Sequence, residues 1–265
     1  MTLGDLPARG HSRNKEMEDI EQGIKLPSPW GYFATLGWLI IAAAMGTICA
    51  VAVLRWLHPE ALSEPQTLTA VMSDGPLLSY TTIISTVVLL TVLTLVAWLK
   101  HWPPFEYLGL MLPKARETAI ALAALLVLLA LTDTATSVLN KDIVSQFQTD
   151  IYNSADAAGA LPLLWFTLII VAPFGEEVTF RGFLYRGWVR TVRGVVPGVL
   201  LISVFWALIH VQYDWFGIIQ VFSLGLFLGW ARWWSGSTTL TFFLHAAANL
   251  WATVETLVKL QAAPG

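Results

Sequence analysis

Three clusters of ionisable and polar residues interrupt otherwise apolar stretches of the chain. Carboxylate and imidazole groups carry out many of the proton transfers in enzymes, and ionisable residues inside membrane segments are rare and usually functional. Glutamate, histidine and asparagine side chains in such segments therefore indicate a site for acid–base chemistry. The clusters consist of Glu176, Glu177 and Arg181, then His210, and then His245 and Asn249.

Helical spacing separates the two adjacent glutamates. Neighbouring residues on an α-helix point about 100° apart, so Glu176 and Glu177 face different directions. Glu177 and Arg181 are four residues apart and share a face, where they can form an ion pair. Glu176 has no such partner and is free to face the interior of a helix bundle. The same four-residue spacing places Trp206 and His210 on one face of their helix. It also places His245 and Asn249 on one face of theirs.

Counting residues from the predicted turns gives the three clusters compatible depths. Arg193 lies midway between Glu176 and His210 in the sequence. If the two helices form a hairpin that turns near Arg193, these residues come to the same height. His245 lies roughly 13 Å from the turn near Gly236, at about 1.5 Å per residue. The clusters can therefore converge in one half of a membrane.

The composition indicates a membrane protein. The 265 residues are 56% hydrophobic and only 12% charged, whereas soluble domains carry about 25% charged residues. Apolar stretches of about the length of a membrane-spanning helix recur along the chain. We predict an all-α, polytopic transmembrane bundle of about seven to eight spans, with the fourth span ending at the double glutamate. The predicted spans are 31–54, 77–99, 118–139, 157–175, 194–209, 215–231 and 233–254.

The positions of lysine and arginine predict the orientation. Residues 1–29 form a polar tail with four such residues, while the loop at 58–76 has none. Four arginines follow the start of the double-glutamate motif. Positive residues accumulate on the cytoplasmic side of membrane proteins, so the sequence predicts a multi-pass protein with a cytoplasmic N-terminus. The chain has no basic patch that would indicate a nucleic-acid partner, and its single cysteine excludes an intrachain disulfide.

The three motifs resemble the signature of the CPBP family, which comprises type II CAAX prenyl proteases and bacteriocin-processing, Abi-like enzymes. They are EEVTFR at 176–181, WALIH at 206–210 and HAAAN at 245–249. Trp206 stands where the family usually has phenylalanine, which bears on substrate fit more than on chemistry. The resemblance covers about residues 160–255. It divides the chain into the tail at 1–29, N-terminal spans at 30–159 and a CPBP-like catalytic core at 160–258.

The resemblance implies an intramembrane endopeptidase that needs no cofactor. Glu176 with His210 would activate a water molecule, and His245 with Asn249 would stabilise the oxyanion. Glu177, Arg181 and Trp206 would position these groups. The substrate would be a membrane-associated protein or peptide, including a prenylated CAAX-type protein. The enzyme would lie in the lipid bilayer of a bacterial plasma membrane, with a water-filled cavity open to the cytoplasm.

Three alternatives use the same residues differently. Glu176, His210 and His245 have the chemistry of a three-ligand zinc site with water in the fourth position, although the local His-Glu-x-x-His pattern is absent. A non-catalytic immunity or scaffold protein would use the fold to bind a partner. A transporter would use Glu176 as a proton carrier. Transporters typically contain inverted repeats and pairs of broken helices, and neither is evident in this sequence.

Overall fold

The computed structural model describes residues 28–57 and 73–262, and within these ranges the chain is helical without strands. This confirms the predicted all-α fold. Most of the predicted tail lies outside the described residues. The helices are α1 (Tyr32–Leu57), α2 (Gly75–Leu99), α3 (Pro104–Tyr107), α4 (Ala115–Val138), α5 (Gln146–Ala157), α6 (Leu161–Trp188), α7 (Val195–Leu208), α8 (Trp215–Ser235) and α9 (Thr238–Ala262).

Five of the described helices are long and apolar enough to cross a membrane, namely α1, α2, α4, α6 and α8. The protein is therefore an integral membrane protein. The predicted count of seven to eight spans is not confirmed. Helix α7 is apolar but short, and α9 is not among the five. Helix α9 is less apolar because it carries the third polar cluster and, further on, Glu255 and Lys259.

Helix α6 corrects the predicted end of the fourth span. The sequence predicted that this span stops at the double glutamate, but the helix continues to Trp188. The charged residues do not end the helix because their side chains pack against other helices instead of lipid. Glu177 and Arg181 are both buried, and residues 178 to 185 are buried without interruption. The glutamates thus lie in the middle of a helix.

Short connections fix how the helices begin and end. Asp74, Ser145 and Asp214 cap α2, α5 and α8 by accepting hydrogen bonds from backbone N–H groups, as N-cap residues commonly do. Gly236 ends α8 with a φ of 72°, a left-handed conformation that favours glycine. The predicted turn between α8 and α9 is therefore present, whereas α5 lies within what the sequence indicated as a loop.

The helix bundle has two ends of different charge. One end, called here the arginine-rich end, comprises α3 and the ends of α6 and α8. It is held by Arg186 Nη2, which donates to the Glu106 carbonyl at 2.8 Å, and by Thr238 Oγ1, which donates to the Leu108 carbonyl at 2.7 Å. The other, called the acidic end, comprises α5, the start of α8 and the end of α9. There Lys259 Nζ donates to the Val144 carbonyl at 3.0 Å.

The core that positions the site joins α4, α6, α7, α8 and α9. Trp206 is its largest fully buried side chain, and the cluster extends to Leu184, Leu228 and Leu244. Apolar side chains of these five helices meet here, so the core fixes the rotation of each helix. The motif residues consequently face one another across the same interior.

Candidate active site

Helix α6 departs from α-helical geometry on both sides of the glutamates. Residues Thr167–Val171 and Val178–Leu184 form π-helical segments, separated by the α-helical turn Ala172–Glu177. Such segments are rare and frequently mark functional sites, because the wider turn redirects side chains and leaves carbonyl groups available. The double glutamate therefore lies on a short α-helical turn between two wide ones.

Asn249 donates a hydrogen bond to a backbone carbonyl group that the first π-helical segment leaves without an intrahelical donor. The N–H of Ala172 donates to the Thr167 carbonyl, five residues back. The next residue in that pattern is Pro173, which has no N–H to offer the Leu168 carbonyl. Asn249 Nδ2 donates to the Leu168 carbonyl instead, at 2.7 Å. This hydrogen bond fastens α9 to α6 close to the glutamates.

Glu177, Arg181 and His245 form a buried charged cluster. Glu177 Oε1 accepts from Arg181 Nη1 at 2.8 Å and lies 2.9 Å from His245 Nδ1. The three residues are 0%, 1% and 3% exposed. A carboxylate accepts, so this contact places a proton on Nδ1 of His245 and makes Nε2 the other functional nitrogen. The predicted pair of Glu177 with Arg181 is present, and the contact with His245 is a partner that the spacing did not reveal.

Glu176 and His210 form a second pair, which solvent can reach. Glu176 Oε2 accepts from Trp206 Nε1 at 2.5 Å and lies 3.9 Å from His210 Nε2. The Glu176 and His210 side chains are 28% and 15% exposed. His210 Nδ1 lies 2.7 Å from the Trp206 carbonyl, so Nδ1 donates and Nε2 faces the carboxylate. A gap of 3.9 Å is too long for a direct hydrogen bond but suits a shared water molecule.

Trp206 lies between the two pairs. Its ring makes edge-on contacts with both imidazoles, at centroid distances of 5.1 Å to His210 and 5.2 Å to His245. The Arg181 guanidinium lies 4.4 Å from the ring centroid, a favourable cation–π distance. The structure therefore brings all the predicted site residues into one region, but as two glutamate–histidine pairs.

The predicted zinc ligands are not arranged for metal binding. No group of three histidine, cysteine, aspartate or glutamate side chains in the described part of the chain is placed to hold a metal ion. Glu176, His210 and His245 consequently do not fit the three-ligand site that was considered as an alternative.

Tyr213 is a site residue that the sequence motifs did not reveal. Its ring lies parallel to the His210 imidazole, with an interplanar angle of 8° and centroids 6.2 Å apart. Burial and, secondarily, the negative charge of Glu176 raise the pKa of Tyr213 to about 12. The phenol is therefore neutral at physiological pH and can donate a hydrogen bond. The sequence feature that could have identified Tyr213 is its position three residues after His210, on the short connection to α8.

Arg232 holds the backbone of the second π-helical segment. Its Nε donates to the Arg181 carbonyl at 2.8 Å, and its guanidinium lies 4.8 Å from the Tyr185 ring centroid. Gly109 packs directly against this guanidinium, since a Cβ atom there would come within 2.5 Å of Arg232 Nη2. The connection between α2 and α4 thus supports Arg232, which in turn positions Arg181. The sequence motifs contain neither residue.

A cavity of about 510 Å³ lies between α4, α5, α8 and α9. Tyr213, Ala248 and Asn249 line it near the site, while Lys141, Asp142 and Asp214 line it at the acidic end. This cavity lies toward the end opposite the arginines, and water entry from the arginine-rich side stays a prediction. At the arginine-rich end, Leu108 and Gly109, which follow α3, contact α6, α8 and α9.

Comparison with known proteins finds one family model that matches part of the chain. Residues 158–251 match the family model described as Type II CAAX prenyl endopeptidase Rce1-like. No curated protein and no solved structure matches the chain. The matched range contains all three motifs, so the resemblance that they indicated is confirmed. Residues 158–251 of this integral membrane protein are therefore similar to the type II CAAX prenyl endopeptidase Rce1-like family.

Proposed function

We propose that this protein is an intramembrane endopeptidase in which Glu176 and His210 activate water. The observation that carries this proposal is the pair itself. A carboxylate oxygen lies 3.9 Å from the imidazole Nε2 at a site that is partly open to solvent. Trp206 holds Glu176 by a hydrogen bond of 2.5 Å, which fixes the carboxylate toward His210. Positioned proton acceptors of this kind contribute about 10²–10⁴-fold to hydrolytic rates.

The chemistry requires only groups on this chain and one water molecule. Glu176 takes a proton from the water as its oxygen attacks the carbonyl carbon of the scissile bond. The carbonyl oxygen becomes an oxyanion in the tetrahedral intermediate. The carbon–nitrogen bond then breaks as the leaving nitrogen receives the proton from Glu176. His210 orients the water by accepting a hydrogen bond at Nε2, because its Nδ1 is occupied by the Trp206 carbonyl.

His245 is the proposed donor to the oxyanion. Glu177 contacts its Nδ1, and a carboxylate there stabilises the doubly protonated imidazole that can donate from Nε2, as in other carboxylate–histidine pairs. Arg181 neutralises the remaining charge of Glu177. Asn249 supports His245 from one helical turn away, and its amide secures α9 through the Leu168 carbonyl. Asn249 thus acts in the proposal as a positioning residue.

The proposed substrate is a membrane-associated protein or peptide, and prenylated CAAX-type proteins are among the candidates that the domain suggests. We assign the enzyme to a bacterial plasma membrane with its arginine-rich end in the cytoplasm. The support for this orientation is the asymmetric placement of Lys and Arg, which accumulate on the cytoplasmic side. The side of the membrane can be tested without knowledge of the substrate.

Glu176→Gln provides the direct test of the proposed function. The neutral amide keeps the shape of the side chain but cannot take a proton from water. Membranes that contain the wild-type protein should show new protein termini that are absent with Glu176→Gln, as measured by mass spectrometry of protein termini. Asp156→Asn is a matched control, because it removes an exposed carboxylate at the acidic end. Wild-type levels of cleavage by Glu176→Gln would remove Glu176 from the role of base.

A further inference from the structure

The cavity between α4, α5, α8 and α9 has a polar lining where a membrane protein normally has an apolar interior. Four glutamine side chains face it, and one of them, Gln220, donates to Thr136 Oγ1 at 2.8 Å. Asp133 accepts from Trp251 Nε1 at 3.1 Å. Polar and ionisable groups at membrane depth are costly and mark pathways for polar ligands. The volume of about 510 Å³ lies in the range typical of binding cavities.

The charge of the lining selects the kind of ligand. Four carboxylates line the cavity, from Asp133, Asp142, Asp214 and Glu255, against one ammonium group, from Lys141. The Lys141 ammonium lies 6.0 Å from the Phe216 ring. A cavity of one dominant sign concentrates ligands of the opposite charge. The amide groups of the glutamines can both donate and accept, which suits the main chain of a peptide.

Tyr213 connects this cavity to the proposed catalytic pair. Its ring lies against Phe147, which also lines the cavity, at a centroid distance of 5.9 Å, and on the other side it lies parallel to His210. Asn249 lines the cavity one helical turn from His245. Tyr213 and Asn249 therefore lie between the cavity and the two histidines, His210 and His245.

We infer that this cavity binds a polar, positively charged segment of the peptide substrate and delivers the scissile bond past Tyr213 to Glu176 and His210. The inference rests on the proposed protease function and names its substrate class, a peptide with lysine or arginine beside the cleavage site. If the arginine-rich end faces the cytoplasm, the cavity opens outside, and the peptide approaches from the extracytoplasmic side.

Single cysteines can test this inference in a Cys49→Ala background, which removes the native thiol. Ala252→Cys places a thiol in the cavity, and Val254→Cys is its matched control. Val254 lies on the same helix at nearly the same depth, is 49% exposed on the bundle surface and does not line the cavity. Each variant is treated with a cationic and with an anionic membrane-impermeant methanethiosulfonate, from either side of sealed vesicles. The cleavage rate of each variant, measured before the reagent is added, is the reference for that variant.

The expected result has three parts. The cationic reagent should modify residue 252 about tenfold faster than the anionic reagent, because the acidic lining attracts it. Asp133→Asn with Glu255→Gln should reduce that ratio. Modification of residue 252 should block cleavage, whereas modification of residue 254 should leave cleavage unchanged because this residue lies outside the cavity. The side from which the reagent reacts gives the side from which the peptide enters.

Two results would overturn the inference while leaving the proposed function intact. One is continued cleavage after complete modification of residue 252. The other is equal reaction with the cationic and anionic reagents. A protein that is labelled as expected but cleaves no peptide before labelling would instead contradict the protease function, and the inference with it. Cleavage of lysine-containing and matched glutamine-containing peptides at equal KM would contradict the substrate class alone.

Discussion

Glu176 and Glu177 are neighbours in the sequence, but their carboxylates have opposite surroundings. Glu177 is fully buried and contacts Arg181 and His245. The Glu176 side chain is 28% exposed and faces His210. The first arrangement neutralises a charge that burial would otherwise make costly, and the second leaves a carboxylate accessible to water. Glu177 thus joins α6 to α9 through His245, while Glu176 has the exposure that its proposed role as a base requires.

The buried pair predicts a large and non-additive loss of stability. Glu177→Ala or Arg181→Ala each leaves an unpaired buried charge, which typically costs about 3–5 kcal/mol. The double variant should cost clearly less than the two single losses combined. The measurement is the free energy of unfolding in mixed micelles. The Lys114–Glu117 pair, which is more exposed and 3.9 Å long, is the control and should show a coupling of about 0–1 kcal/mol. Additive losses at residues 177 and 181 would mean that the two do not pair.

At the scale of the helix, α6 carries the site because it is irregular. Its π-helical segments flank the glutamates, and Pro173 withholds an N–H from the Leu168 carbonyl. Asn249 provides the missing donor from α9. A residue that the sequence motif associates with the oxyanion therefore also completes the hydrogen bonding of a distant helix.

A pair of substitutions separates these two roles of Asn249. Asn249→Ala leaves the Leu168 carbonyl unsatisfied and should cost about 1–3 kcal/mol of stability. Pro173→Ala restores an N–H near that carbonyl, so the stability loss from Asn249→Ala should be smaller in that background. Unfolding in mixed micelles measures both losses.

The kcat values then distinguish a positioning role of Asn249 from direct stabilisation of the oxyanion by its side chain. If Asn249 only positions α9, Pro173→Ala should also restore part of the kcat that Asn249→Ala loses. If Asn249 donates to the oxyanion, kcat should fall by about 10²–10³ in either background, with little change in KM. Equal stability losses in both backgrounds would contradict the proposed link between Pro173 and Asn249.

The connection between α2 and α4 gives a prediction with a matched control. Gly109 and Gly159 both have positive φ angles, 67° and 64°, so alanine strains the backbone at each by about 1–2 kcal/mol. A Cβ at Gly159 meets open space, but one at Gly109 would displace Arg232. Gly109→Ala should therefore be more destabilising than Gly159→Ala and should also slow cleavage, because Arg232 holds the Arg181 carbonyl. Equal effects on stability and cleavage would mean that Arg232 does not position the site.

At the scale of the whole molecule, the two ends of the bundle differ in charge and in access. Arginine residues are concentrated at the end where α3 and the residues after it contact α6 and α9. The cavity lies toward the other end, which contains α5. The described cavity thus lies on the side of the site away from these arginines. This asymmetry makes the orientation in the membrane decisive for which proteins can be substrates.

Cysteine labelling should reveal that orientation. In the Cys49→Ala background, a cysteine at residue 193 should react with an impermeant reagent only from the cytoplasmic side, and a cysteine at residue 150 only from outside. The reason is the accumulation of lysine and arginine on the cytoplasmic side. Reaction is measured in intact cells and in inverted vesicles. The reverse pattern would overturn the charge-based orientation.

The sequence by itself determined the features that depend on local composition and spacing. Apolar runs predicted the all-α membrane fold, the four-residue spacing predicted the Glu177–Arg181 pair, and the three motifs indicated the protease domain. The hairpin count also placed Glu176 level with His210. Each of these depends on residues close in the chain or on one helix period, so elementary geometry is sufficient.

Only the tertiary structure decided how those parts meet. It assigned His245 to Glu177, Asn249 to the Leu168 carbonyl and Tyr213 to the face of His210. It also extended α6 beyond the glutamates and put the cavity at the acidic end. These outcomes depend on the rotation and lateral packing of helices that are distant in sequence. Helical periodicity gives the face on which a residue lies, but packing between helices determines which residue it contacts.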